Sequence, residues 1–186
     1  MAFATIDVTK GITGTIPVAN GGTGLASGTS GQFLKFTGST TVASAAVDTG
    51  KIGQVIQSVK TSGQTISSGS YVAVSSLTAN ITCSATSSKV LVMISMPSMT
   101  ISGGDNEGGN YSLYRNGSAE YKFGGNHGYA SDGSAHVMSC EFTRIHEPSS
   151  TSQQTYAVYA EKNGNSNIDV PANSTQATIT LMEILA

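Results

Sequence analysis

The chain has 186 residues, only 11% of them charged, and a net charge of −2 at neutral pH. That length holds one ordinary domain plus an appendage. The nine basic residues (Lys10, Lys35, Lys51, Lys60, Lys89, Arg115, Lys122, Arg144 and Lys162) are too scattered to neutralise a phosphate backbone, which excludes a nucleic-acid partner.

Ser and Thr make up about a quarter of the residues, and Gly adds 22 more. Such a chain wets its surface with hydroxyls and backbone rather than ion pairs, and its Thr and Val content favours strands over helices. Met1-Ala2-Phe3-Ala4-Thr5-Ile6-Asp7 lacks a basic stretch followed by an apolar one, so no secretion signal is expected. The longest strongly apolar run, Val90 to Ile94, is too short for a helical membrane span.

Residues 1–50 read as an extended attachment arm. Apolar residues come singly between Gly, Thr and Ser, no 3.6-residue stripe runs through them, and Pro17 with the glycine cluster forbids a helix. Such a segment cannot bury a core alone and is expected to order only along another surface. Ile12, Ile16, Pro17, Val18, Gly21, Gly22, Gly24 and Leu25 are the candidate docking residues. Gly31-Gln32-Phe33-Leu34-Lys35-Phe36-Thr37-Gly38 reads as a short strand between glycines, followed by a small-residue connector.

From Lys51 onward strands and turns alternate. Strands are predicted over 52–60, 70–77, 89–96, 110–115, 119–123, 135–145, 154–161 and 176–185, with Gly, Ser and Asn clusters between them. The fold class is therefore all-β: an extended arm (1–50) followed by an antiparallel β-sandwich, jelly-roll-like, over 51–186. Asn116-Gly117, between Tyr111-x-Leu113 and Tyr121-x-Phe123, is a strong hairpin signal. In the last strand Ala177, Ile179 and Leu181 alternate with Thr178 and Thr180 until Met182-Glu183-Ile184-Leu185 interrupts the polar side. A strand apolar on both faces is covered on both. Tyr156, Val158 and Ala160, interleaved with Ala157 and Tyr159, show the same pattern. This predicts a homotrimer, with Tyr156, Tyr159, Met182 and Ile184 as candidate interface residues; the alternative is a strand in the middle of a monomeric core.

Gly14-Thr15-Ile16-Pro17-Val18-Ala19-Asn20-Gly21-Gly22-Thr23-Gly24-Leu25 resembles the GTLPxANGGTG-type segment near the N-termini of many phage tail-fibre and virion appendage proteins. Lys51-Ile52-Gly53-Gln54-Val55-Ile56-Gln57, Leu113-Tyr114-Arg115-Asn116-Gly117 and Ala177 to Ile184 are similar to strands of the small β-domains that follow it there. The resemblance implies a trimeric virion structural protein, assembled in the host cytoplasm, that anchors by its arm and presents loops for host attachment. Many such fibres carry shaft repeats; here the arm meets the β-domain almost directly, so a capsid decoration (cement) protein or a short head fibre is the alternative.

No catalytic residue is predicted. Gly21-Gly22-Thr23-Gly24 lacks the Lys-Ser/Thr of a phosphate loop, no Ser lies in a nucleophile elbow, and His127, His136 and His146 share no face. No cofactor and no metal is expected. Asp105 and Glu107, in Gly103 to Asn110, offer too few ligands for calcium and read as a solvated turn, with ion binding left open. Cys83 and Cys140 read as buried free thiols on strands. Asn126, His127 and Tyr129, in a glycine-rich loop, are the candidate receptor contacts, suited to a host surface glycan or protein.

Overall fold

The computed structural model describes residues 16, 22–23, 25, 27–39, 41–46, 51–101, 107–130 and 133–186. The chain divides into two compact units, 1–49 and 50–186. In the first, β1 (Phe33–Phe36) and β2 (Val42–Ala45) pair antiparallel, Phe33 opposite Ala45 and Phe36 opposite Val42.

The second unit is an antiparallel β-sandwich. One sheet has the order β5 (Val72–Ile81), β10 (Gln154–Asn163), β7 (Glu107–Arg115), β8 (Ser118–Ala130). The other runs β3 (Ile52–Lys60), β12 (Ala177–Ile184), β6 (Lys89–Ile101), β11 (Ile168–Val170), β4 (Gln64–Ile66), with β9 (His136–His146) along the opposite edge of β6. Consecutive strands cross repeatedly between the sheets, as from β5 to β6, β6 to β7 and β8 to β9. That is the jelly-roll-like weave expected.

The core follows strand periodicity. In β6 Val90, Val92, Ile94 and Met96 are at most 2% exposed, while Leu91 and Met93 face away. Opposite them stand Val74 and Leu77 of β5, Tyr111 and Leu113 of β7 and Tyr156 and Val158 of β10, all buried. At Pro97 the pairing of β6 with β9 slips between Met96 and Met99. Proline cannot donate to the ladder, so a bulge is its place in a strand. Beyond it Met99 and Ile101 return to the core.

The Asn116-Gly117 hairpin forms as read, with φ of 50° and 82°, the left-handed pair of a type I′ turn. Other elements run longer than their local signal: 89–96 extends to Ile101, 110–115 begins at Glu107, and 119–123 continues to Ala130. The three-residue β4 and β11 were not predicted, being too short to show a period. Cys140 lies in β9, but Cys83 lies just beyond β5 rather than on a strand; both are buried and free.

Candidate functional site

The predicted receptor loop is part of β8. Asn126, with φ of 51°, donates its backbone N–H to Asn110 Oδ1 at 2.8 Å and accepts a hydrogen bond from the Asn163 amide. His127 Nε2 donates to the Ser139 carbonyl at 2.7 Å, and its ring meets Tyr111 edge-on. These bonds tie Asn126 to β7 and β10 and His127 to β9. Asn126 and Tyr129 are exposed, Tyr129 at 50%, while His127 is half-buried.

Asp105 lies outside the described residues. Glu107 is not in a turn: it begins β7, is buried, and accepts the Ser166 backbone N–H at 2.7 Å. Among the described residues no three His, Cys, Asp or Glu side chains converge.

A polar chain does bridge the two sheets. Tyr156 Oη and His146 Nδ1 are 2.9 Å apart, His146 Nε2 lies 3.4 Å from Glu120, and Arg115 Nε donates to Glu120 at 2.7 Å. Arg115 also reaches Gln154, which receives the Asn116 amide. Burial favours a protonated Glu120, but the Arg115 hydrogen bond and charge override it and lower the carboxyl. Burial pushes the Tyr156 hydroxyl well above the usual phenol range. Tyr156 is wholly inside its own sandwich. Its assignment to a subunit interface is therefore corrected: the alternating apolar pattern reflects the inner core. Burial likewise raises the Cys140 thiol to about 11, and that of Cys83 upward. Neither presents a thiolate.

The other interface candidates do lie on outer faces. Tyr159 stacks on Tyr114 with ring centres 3.8 Å apart. Met182 and Ile184 join a cross-strand apolar field on the outside of the larger sheet. One row reads Val55, Met182, Leu91, Ile145 across β3, β12, β6 and β9. Beside it Ile52 pairs with Ile184, and on the other flank Gln57, Thr180, Met93 and Thr143 line up. Ile52, Val55 and Ile145 are each about half exposed, at 49%, 53% and 52%. Gln57 donates to Thr180 at 2.9 Å, beside a groove of about 230 Å³ that Thr143 and Thr178 also line. Neither the apolar row nor the row flanking it at Gln57 carries a charge; Lys89, beyond Leu91, is neutralised by Glu147 at 2.6 Å.

Val55, Leu91 and Ile145 were not among the sequence candidates. The signal for Leu91 was present in the unbroken run Val90 to Ile94, which, like the last strand, is apolar on both faces.

In the first unit Ile16, Gly22 and Leu25 are half-buried, while Ile12, Pro17, Val18, Gly21 and Gly24 lie outside the described residues. The exposed apolar groups there are Phe33 (64%), Leu34 (57%) and Phe36 (69%) of the hairpin.

No protein-family model matches the chain. No curated protein matches it either. Among solved structures it is similar to that of infectious bursal disease virus Gx strain, at 11% identity and a TM-score of 0.43, covering 81% of this chain and 36% of that one. The infectious bursal disease virus VP2 subviral particle gives 12% identity and a TM-score of 0.38 (82% and 42% covered), and the Gt strain 13% and 0.36 (82% and 42%). The chain thus spans about two fifths of the length of those viral proteins.

Proposed function

We propose that this is a non-enzymatic structural protein of a bacteriophage virion. In this reading it is a homotrimeric fibre or appendage, anchored by its arm, that presents its sandwich for host attachment. The observation that carries it is the uncharged apolar field of Val55, Leu91, Ile145, Met182 and Ile184. Four strands about 4.8 Å apart, over the roughly four residues that the two apolar rows occupy, make about 250 Å² of such surface, and contiguous apolar patches of a few hundred Å² are often functional. A second copy of this chain is the occupant it suits. Symmetric association brings identical groups together; the central row and the row at Gln57 bring no like charges, and Lys89, opposite Ile184, is paired with Glu147. The flanking threonine and glutamine rows extend the contact toward the ~800 Å² each partner buries in a standard interface.

The arm fits the anchoring role. A lone two-stranded hairpin is marginal in water, and this one leaves Phe33, Leu34 and Phe36 exposed, so a surface of the particle is its natural complement. A capsid decoration protein or short head fibre is the second reading, favoured by the direct passage from arm to sandwich without shaft repeats.

Light scattering on the purified chain of 18.9 kDa tests the assembly: a species of three times that mass is expected at micromolar concentration. Val55→Asp with Met182→Asp should give a folded monomer. A monomeric wild-type chain would refute the trimer. Copy number in purified particles separates the two locations, a few trimers for a tail and hundreds for a shell.

A further inference from the structure

A polar cavity of about 510 Å³ opens on the outer side of the larger sheet, lined by Thr65, Thr100, Asp169, Pro171, Asn173 and Ser174 among others. Its β6 residue, Thr100, lies roughly 30 Å along the strand from Leu91, clear of the apolar row. Its floor is a cross-strand row in which Asp169 of β11 stands opposite Thr65 of β4 on one side and Thr100 of β6 on the other. Thr65 Oγ1 donates to Asp169 Oδ1 at 2.6 Å. Among the described residues none donates to the second carboxylate oxygen.

The rim is set in advance. Asn173 and Ser174 both hold left-handed φ values, 54° and 56°. Ala172 N–H donates to the Ser98 carbonyl at 2.8 Å, the Asn173 amide reaches Ser98 Oγ at 3.2 Å, and Thr175 N–H closes the turn onto Ala172 at 3.1 Å. Successive left-handed residues without a glycine cost free energy and persist where surrounding contacts impose them. A site ordered before its ligand arrives spends less binding energy on ordering.

We propose that this cavity binds an uncharged saccharide unit. Its volume falls within the ~300–1,000 Å³ usual for small-molecule sites. Its lining, however, is hydroxyl and carboxylate rather than apolar, which suits a ligand that is itself covered in hydroxyls. The free oxygen of Asp169 accepts from a sugar hydroxyl, Thr100 and Ser174 both donate and accept, and Pro171 offers C–H surface to a ring face. Anionic sugars and phosphates are disfavoured, because the lining contains a carboxylate and no Lys, Arg or His. Calcium needs six to eight oxygen ligands, and one half-occupied carboxylate is a poor start. Without an aromatic platform the single-site affinity is in the millimolar range, which three linked copies would raise through avidity. The inference gives the attachment role a ligand class; it rests on that reading for its biological setting, while the binding itself does not.

The test uses the full-length protein and two-dimensional amide NMR. Methyl α-glucoside, α-galactoside and α-mannoside are titrated to tens of millimolar, with methyl α-glucuronoside and calcium chloride as controls. At least one neutral glycoside should shift the Thr65, Thr100, Asp169 and Ser174 amides saturably. The glucuronoside should bind roughly tenfold more weakly than the glucoside, and Asp169→Ala should weaken the neutral ligand by a similar factor. Thr100→Val serves if Asp169→Ala fails to fold. Three results would overturn the proposal: no shift of these amides by any neutral glycoside, equal binding of the glucuronoside, or a response to calcium alone. Such a failure leaves particle incorporation and trimer mass unaffected, so it is distinguishable from failure of the virion reading.

Discussion

Glu183 offers the sharpest test of how the sandwich is held together. It occupies an inward position of the last strand where a hydrophobic residue would normally sit, and it is 1% exposed. Its carboxylate accepts from Gln54 Nε2 at 2.8 Å, and from both the backbone N–H and the hydroxyl of Ser84 at 2.6 Å each. β3 can approach because residue 53 is glycine; a Cβ there would lie 2.8 Å from the carboxylate. Burial alone would raise the Glu183 carboxyl, but these hydrogen bonds override it and bring it down to about 2. Against an ordinary value near 4.3, a depression of that size is at most about 3 kcal/mol of native-state stabilisation. Water competes at the outer end of Gln54, so about 2 kcal/mol is the expected share.

Glu183→Gln keeps the shape but turns one acceptor into a donor facing the Gln54 amide. Gln54 cannot flip to compensate without losing its bond to the Thr82 carbonyl at 2.7 Å. At pH 7 the variant should melt roughly 4–8 °C below wild type by differential scanning calorimetry. The sign with pH follows from the depressed carboxyl. The stabilisation is complete above about pH 4.5 and is lost as pH falls toward 2, so the gap between the two proteins should close over that window. Equal melting temperatures at pH 7, or a gap that persists unchanged at the acid end, would show that the carboxylate does not hold the sheet.

Three further outcomes are expected. The Tyr111 hydroxyl is buried with no hydrogen-bond partner among the described residues, so Tyr111→Phe should raise stability in urea by about 1 kcal/mol; a loss of stability would reveal a hidden partner. Gly109→Ala should destabilise, because its Cβ would lie 2.6 Å from that hydroxyl and 3.0 Å from Ile168. Combining it with Tyr111→Phe should recover part of the cost, and strict additivity would argue against the contact. Gly117→Ala meets nothing within 4 Å but must hold φ of 82°, so it should cost about 1 kcal/mol through backbone strain alone.

Much of the architecture is legible in the sequence, because strand periodicity and turn chemistry are local. Asn116-Gly117 turns where its tolerance of positive φ directs it, and Ala177, Ile179 and Leu181 enter the core as their alternation requires. The change in apolar patterning near residue 50 coincides with the division between the units 1–49 and 50–186.

Only the tertiary structure decided which partners those local segments meet. Alternation says that a residue faces inward or outward; it does not say which distant strand lies alongside. Tyr156 and Met182 both sit in strands that read as apolar on two faces, yet Tyr156 points inward to meet His146 of β9 while Met182 lies on the outer face. Asn126 and His127 read as loop because glycines surround them, but Asn110, Asn163 and Ser139, all far away in sequence, supply the bonds that draw them into β8. The Asp169 cavity was equally invisible: its floor joins two three-residue strands to the far end of β6, and pairings of that span arise only when the whole sheet closes.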